Sequence, residues 1–162
     1  MTREKKFRSL KRCLKNFNAA MLDLEDMIVE RNEGEDYWHL KIPIAMALLT
    51  HKKKTTKQVL NQYIQSAYKC YLKNKNDDSI FTLILSSPGV FSSEVCIFYS
   101  KEYYESFQDR SADFQKWEEQ KNGLVEELGL IVPEHSKIIN YKETIVDEEY
   151  TFHGTQTIIR YS

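Results

Sequence analysis

Apolar residues recur at spacings of three and four at Phe7, Leu10, Leu14, Phe17, Met21, Leu24 and Ile28, within a stretch that contains neither Pro nor Gly. That is one stripe of an amphipathic helix, predicted over residues 4–31. Asn32-Glu33-Gly34-Glu35-Asp36 reads as a turn. Trp38, Leu40 and Ile42 then alternate with His39 and Lys41, the period of a short strand with one buried face. Pro43 ends that strand or opens a short helix over Ile44–Leu49, since Pro fits a first helical turn. Thr55 or Thr56 is the expected N-cap of a second long helix. Its stripe is Val59, Leu60, Tyr63, Ile64, Ala67, Cys70 and Tyr71.

Beyond residue 79 the period changes. Ile80–Leu85 and Glu94–Tyr99 are β-rich runs on either side of Ser86-Ser87-Pro88-Gly89, a hairpin-like pair. Lys101–Phe107 is a short helical candidate, and Leu124–Leu128 followed by Gly129 reads as a helix with a glycine stop. Ile138–Val146 and Tyr150–Tyr161 are further strand candidates around Asp147-Glu148-Glu149. Helices first and antiparallel strands afterwards predict an α+β fold. The expectation is a single globular domain over residues 1–162, with a mainly antiparallel sheet of about four to five strands packed against the N-terminal helices on one face.

Composition narrows the class. The chain has 162 residues, 41% of them hydrophobic, with only 5 Gly and 3 Pro, which suits a packed core and not a disordered segment. Its longest apolar stretch, Ile42–Leu49, is too short to span a bilayer and holds Pro43, so no membrane association is expected. No apolar segment follows the basic N-terminus, which argues against a secretory signal. Cys13, Cys70 and Cys96 are an odd, widely spaced set. They suit three small core residues in a reducing, cytoplasmic setting better than a disulfide framework or a zinc site.

Charge adds the strongest asymmetry. Residues 1–76 hold 16 Lys/Arg against 8 Asp/Glu, and residues 77–162 hold 7 against 16, so the net charge of −1 conceals halves of +8 and −9. Between Tyr37 and Asn76 there are eight lysines and no acid. Such a split bears on partners and steering, not on fold. In the first helix, Arg8, Lys11, Arg12 and Lys15 precede Asp26 and Glu30, the reverse of the order a helix macrodipole favours.

No catalytic motif stands out. His39, His51, His135 and His153 show no ligand spacing, and no nucleophile elbow or phosphate loop is present. No cofactor, metal or catalytic set is therefore assigned. His39 beside Trp38 is the first histidine to consider for acid–base chemistry. Glu143, Asp147, Glu148 and Glu149 form the candidate acidic face for a protein partner. Arg8, Lys11, Arg12, Lys15, Lys52, Lys53, Lys54 and Lys57 form the candidate face for an anion or nucleic acid. The excess of lysine over arginine suits backbone contact more than base readout.

The segments "YWHLKIPIA" (Tyr37–Ala45), "VCIFY" (Val95–Tyr99), "YYESF" (Tyr103–Phe107), "FQKW" ending at Trp117, "LGLIVP" (Leu128–Pro133) and "YKETIVDEEYTF" (Tyr141–Phe152) carry a resemblance. In these the chain resembles a family of small cytoplasmic proteins of Bacillus-type bacteria, a domain of unknown function, over about residue 10 to 155. The resemblance transfers no catalytic residue. It implies one role worth naming, because several small proteins of such bacteria are immunity proteins. The leading expectation is a non-enzymatic protein-binding module, an immunity- or antitoxin-like protein that neutralises a toxin by masking it with the acidic face. The alternatives are a nucleic-acid-associated module using the lysine-rich face, and a small enzyme with dispersed active-site residues. A homodimer in which the charged halves meet stays open.

Overall fold

The computed structural model describes residues 2–50, 52–87, 93–108 and 115–162. Helix α1 (Thr2–Asp26) leads through strand β1 (Tyr37–Lys41) to helices α2 (Met46–Thr50) and α3 (Lys53–Asn74). Strands β2 (Ile80–Ser87) and β3 (Glu94–Phe98) follow, then helix α4 (Lys101–Gln108), strand β4 (Gln115–Gln120) and helix α5 (Leu124–Leu128). Strands β5 (Lys137–Val146) and β6 (Thr151–Tyr161) complete the chain. The six strands form one antiparallel sheet in the order β1-β3-β2-β6-β5-β4, so the fold is α+β.

The sheet has one strand more than the sequence predicts. Strand β4 reads Gln-Lys-Trp-Glu-Glu-Gln, and its edge position leaves it without the apolar alternation that marks a half-buried strand. The residues Pro88 and Gly89 expected to turn between β2 and β3 lie outside the described residues, as does His51. β2 and β3 themselves pair in register from Ile80 opposite Phe98 to Ile84 opposite Glu94.

Strand periodicity splits the core in two. Phe81, Leu83 and Leu85 of β2, Val95 and Ile97 of β3, and Ile159 and Tyr161 of β6 face the helical layer, where Phe17, Met21, Leu24, Tyr63 and Ile64 are buried against them. The alternate residues Ile80, Ile84, Cys96, Phe98 and Ile158 point to the opposite face, where Tyr104 of α4 covers them. Helices therefore flank both faces, not one. The central strands must be apolar on both sides, which is why Ile80–Leu85 reads as a nearly unbroken apolar run.

Helix α1 stops at Asp26, five residues short of the predicted end, and Ile28 is 65% exposed. The reason is Asn74 at the end of α3. Its Oδ1 accepts from the Val29 N–H (2.7 Å), and its Nδ2 donates to the Met27 carbonyl (2.9 Å). The side chain thus takes backbone groups that another helical turn needs. The N-cap of α3 is Lys52, not Thr55 or Thr56. Thr56 instead sits in the first turn and donates from Oγ1 to the Leu49 carbonyl of α2 (3.0 Å), joining the two helices.

Tyr161 fastens the sheet to α3. Its ring lies against Tyr68, Tyr71 and Phe81, and its hydroxyl donates to the Ile64 carbonyl at 2.8 Å. Burial holds its phenol well above the ordinary value of 10.0, and Tyr63 is raised by the same cause. The unfolded chain then releases these protons at a lower pH than the folded one. Their contribution to stability is complete below the unfolded pKa and is lost as pH rises above it. Tyr161→Phe is expected to lower stability by about 1 kcal/mol at neutral pH, with a shallower fall of Tm above about pH 10 than the parent shows. Thermal melts across that range read both effects, and an unchanged alkaline slope removes Tyr161 as a cause.

Helix α5 docks through a buried polar chain. Gly123, at its N-cap, has no side chain to cap with, so the Leu124 N–H donates to Thr157 Oγ1 of β6 (3.1 Å). Thr157 in turn donates to Asn140 Oδ1 of β5 (2.9 Å), and Asn140 Nδ2 donates to the Lys121 carbonyl (3.4 Å). A Cβ at residue 123 would run into the Asn140 amide and come within 2.8 Å of Thr157 Oγ1. Gly123→Ala is expected to cost about 1–3 kcal/mol through overpacking of this network, measured by denaturant titration. A loss of a few tenths would mean that Asn140 can turn aside.

Candidate functional site

The structure divides the acidic quartet. Glu143 lies inside β5, opposite Trp117 of β4, and is only 6% exposed. It belongs to the second face of the sheet beside Tyr141, whose ring meets Trp117 edge-on at 6.2 Å. Asp147, Glu148 and Glu149 sit apart from it, exposed at the tip of the β5–β6 hairpin. The Asp147 N–H donates to the Tyr150 carbonyl (2.9 Å), and the Asp147 carboxylate accepts from the Glu148 N–H. The turn thus uses one of its own acids as a clasp.

Two large apolar residues bracket those acids. Val146 is 52% exposed and Tyr150 is 64% exposed. β6 pairs with β2 only from Thr155 onward, whereas its pairing with β5 extends back to Thr151. The hairpin end therefore stands beyond β2 among the described residues and presents Val-Asp-Glu-Glu-Tyr to solvent.

The basic residues come together at one end of the helical layer. Phe17 lies against Tyr63 with ring centroids 6.1 Å apart, Glu25 accepts from Ser66 (2.8 Å) and pairs with Lys69 (3.4 Å), and Asp26 pairs with Lys73 (3.2 Å). Residue numbers rise together along both helices, so α1 and α3 run parallel. Lys11, Arg12 and Lys15 therefore share an end with exposed Lys52, Lys53, Lys54 and Lys57. Arg8 belongs to the same part of α1, although its side chain lies outside the described residues. The first turn of α3 has no acid, so its cations stand at the positive end of the macrodipole.

His39 is on edge strand β1, its ring stacked on Tyr37 at 5.3 Å and its Nδ1 3.3 Å from Glu94 Oε2. An acid is thus within reach, but the imidazole is 44% exposed. His153 Nδ1 lies 3.2 Å from Thr144 Oγ1, and His135 occupies a turn with φ of 66°. Among the described residues no group of three His, Cys, Asp or Glu is placed to hold a metal ion. No helix among them is long and apolar enough to cross a membrane.

A concave feature that local sequence does not signal lies where α1, α3 and β3 end. A cleft of about 270 Å³ is lined by Val29, Arg31, Asn74, Asn76, Asp78, Ser79, Ile97 and Tyr99. The Arg31 guanidinium lies over the Tyr99 ring, 4.7 Å from its centroid, and Arg31 Nε donates to the Glu35 carbonyl (3.3 Å). The Tyr99 hydroxyl is buried without a hydrogen-bond partner among the described residues, a state that costs about 1–3 kcal/mol. Burial is also the main cause that raises its pKa, with Glu35 adding to the effect and Arg31 opposing it.

A family model described as a protein of unknown function, DUF3916, matches residues 20–160. No curated protein and no solved structure matches the chain.

The cysteines offer a chemical check on the packing. Cys13 is half-buried on α1, whereas Cys70 and Cys96 are buried. Burial pushes the Cys70 thiol up to about 11, against the smaller opposing effects of Asn74 and Lys73. Thiolate is the reactive form, so Cys70 is expected to alkylate at least about tenfold more slowly than Cys13 at pH 8 in the folded protein. Peptide mass spectrometry after timed labelling reads the ratio. Equal rates would mean that the buried face of α3 opens freely.

Proposed function

The chain belongs to the DUF3916 family of proteins of unknown function, and we propose that it is a non-enzymatic protein-binding module, an immunity- or antitoxin-like protein that masks a basic toxin. The observation that carries this reading is the tip of the β5–β6 hairpin. Exposed Val146 and Tyr150 flank exposed Asp147, Glu148 and Glu149 there. Aromatic anchors supply much of the energy in protein interfaces, while surrounding charge selects the partner and speeds association. Glu143 has no part in this contact, because its side chain is buried in the second face of the sheet. A second reading rests on the parallel course of α1 and α3, which gathers Lys11, Arg12, Lys15 and Lys52 to Lys57 at one end. It makes that end a seat for nucleic-acid phosphates.

The test is purification of the tagged full chain from its native lysate, with and without nuclease. A stoichiometric basic protein that survives nuclease is the expected result. Replacing Asp147, Glu148 and Glu149 together by Lys, or Tyr150 by Ser, is expected to weaken that complex by at least about tenfold. If both variants hold the partner as tightly as the parent, the hairpin tip is not the contact. Nucleic acid that co-elutes and disappears with nuclease assigns the function to the basic end instead.

A further inference from the structure

The cleft beneath Tyr99 is remote in sequence from the hairpin tip and stands on its own observations. Its walls come from the connection after α1 (Val29, Arg31), the end of α3 and the loop beyond it (Asn74, Asn76, Asp78, Ser79), and the end of β3 (Ile97, Tyr99). Asn74 is fully engaged with Met27, Val29 and Cys70, and this fixes the back wall. Asn76 organises the loop, since its Oδ1 accepts from the Asp78 N–H (3.0 Å) and its carbonyl accepts from the Ser79 N–H (3.1 Å). The Asn76 bonds are local and the Asn74 bonds to Met27 and Val29 join α3 to the chain after α1, and together they leave three groups of the lining unused among the described residues.

Those groups are complementary to one ligand chemistry. Among the described residues the Arg31 guanidinium lies over the Tyr99 ring and donates a hydrogen bond only from Nε, so its terminal nitrogens remain as donors beside a positive charge. The Asp78 carboxylate makes no ion pair among the described residues, with Arg31 or with any other cation, although both line the same cleft. The Tyr99 hydroxyl has no hydrogen-bond partner among the described residues. Ile97 is buried and Val29 half-buried, and together they give the cleft an apolar side.

We propose that this cleft binds a small zwitterion, a free α-amino acid with an apolar side chain. Its carboxylate meets Arg31 and the Tyr99 hydroxyl, its ammonium meets Asp78, and its side chain lies against Val29 and Ile97. An anion alone leaves Asp78 unanswered, and a cation alone leaves Arg31 unanswered. The volume agrees, since about 270 Å³ lies just below the range of about 300–1,000 Å³ that holds drug-sized ligands.

The experiment is an NMR titration of the isotope-labelled full chain with L-alanine, L-valine, L-leucine and L-phenylalanine, each to about 20 mM. Saturable shifts at the amides of Val29, Arg31, Ile97 and Tyr99 are expected with at least one of them. N-acetylation or C-amidation of that amino acid is expected to weaken binding by about tenfold or more. Arg31→Gln and Asp78→Asn should do the same, and Tyr99→Phe should weaken it severalfold. Asp78 is exposed on a loop, so its variant keeps the test valid if an Arg31 variant unfolds. The proposal fails if none of the four shifts these amides, or if the acetylated form binds as well as the free one. It also fails if inorganic phosphate binds at the same amides and Asp78→Asn leaves the amino acid's affinity unchanged.

Discussion

The fold depends on the seam between Tyr161 and α3. Tyr161 is the last residue of the last strand, and its hydroxyl reaches the Ile64 carbonyl, 97 residues earlier in the chain. Its ring closes a cluster with Tyr68 and Tyr71 of α3 and with Phe81 of β2, its register partner. This seam sets α3 against the β2–β6 pair. α1 then packs along α3, and α2 is held by Thr56. The β2–β3, β4–β5 and β5–β6 pairs join consecutive strands, while β1–β3 and β2–β6 are long-range, and at the β2–β6 seam buried aromatic area with a satisfied hydroxyl attaches the helical layer to the sheet.

That arrangement has an electrostatic consequence. Two parallel helices place both positive dipole ends together, and this chain adds lysines and arginines at that end. Asp26 and Glu25, at the other end of α1, pair with Lys73 and Lys69 of α3. Exposed pairs of this kind contribute about 0–1 kcal/mol each, so they do not explain the whole pattern. The helices are held by their apolar stripes, and Arg12, Lys15, Lys52, Lys53, Lys54 and Lys57 stand exposed at their N-terminal end. The negative half of the molecule is not one face. Asp147, Glu148 and Glu149 stand at the hairpin tip, Glu143 lies on the second face of the sheet beside Tyr141 and Trp117, and others such as Asp78, Glu94 and Glu126 lie elsewhere.

Segments whose own residues carry a strong period were legible in the sequence. The stripes of α1 and α3, the run Ile80–Leu85 and the glycine stop at Gly129 each followed from spacing alone; Gly129 has φ of 61° and closes α5 as a left-handed cap. Features decided by distant residues were not legible. Strand β4 exists because β5 offers it an edge, and only Trp117 in it hints at a buried face. The quartet of acids looked contiguous because Glu143 is four residues from Asp147. The register of β5 turns Glu143 onto the face of Trp117, and the mixed sequence Lys-Ile-Ile-Asn-Tyr-Lys-Glu-Thr-Ile-Val gives no clean alternation from which to read it.

The missed helix end and the missed cleft have a single cause. The apolar stripe of α1 continues through Ile28, so propensity and period both favour another turn. Asn74 lies 45 residues away from Val29, yet it captures the Val29 N–H and the Met27 carbonyl in a half-buried setting. Chain that would have continued as helix is drawn across the end of α3 instead. Ile28 is left in solvent, Val29 turns toward Ile97, and Arg31 reaches the Tyr99 ring. A straight helix would place these residues on a rod pointing away from β3 and leave no concavity. The local pattern was outweighed by two tertiary hydrogen bonds, and the place where it was outweighed is the place where Arg31, Asp78 and Tyr99 converge.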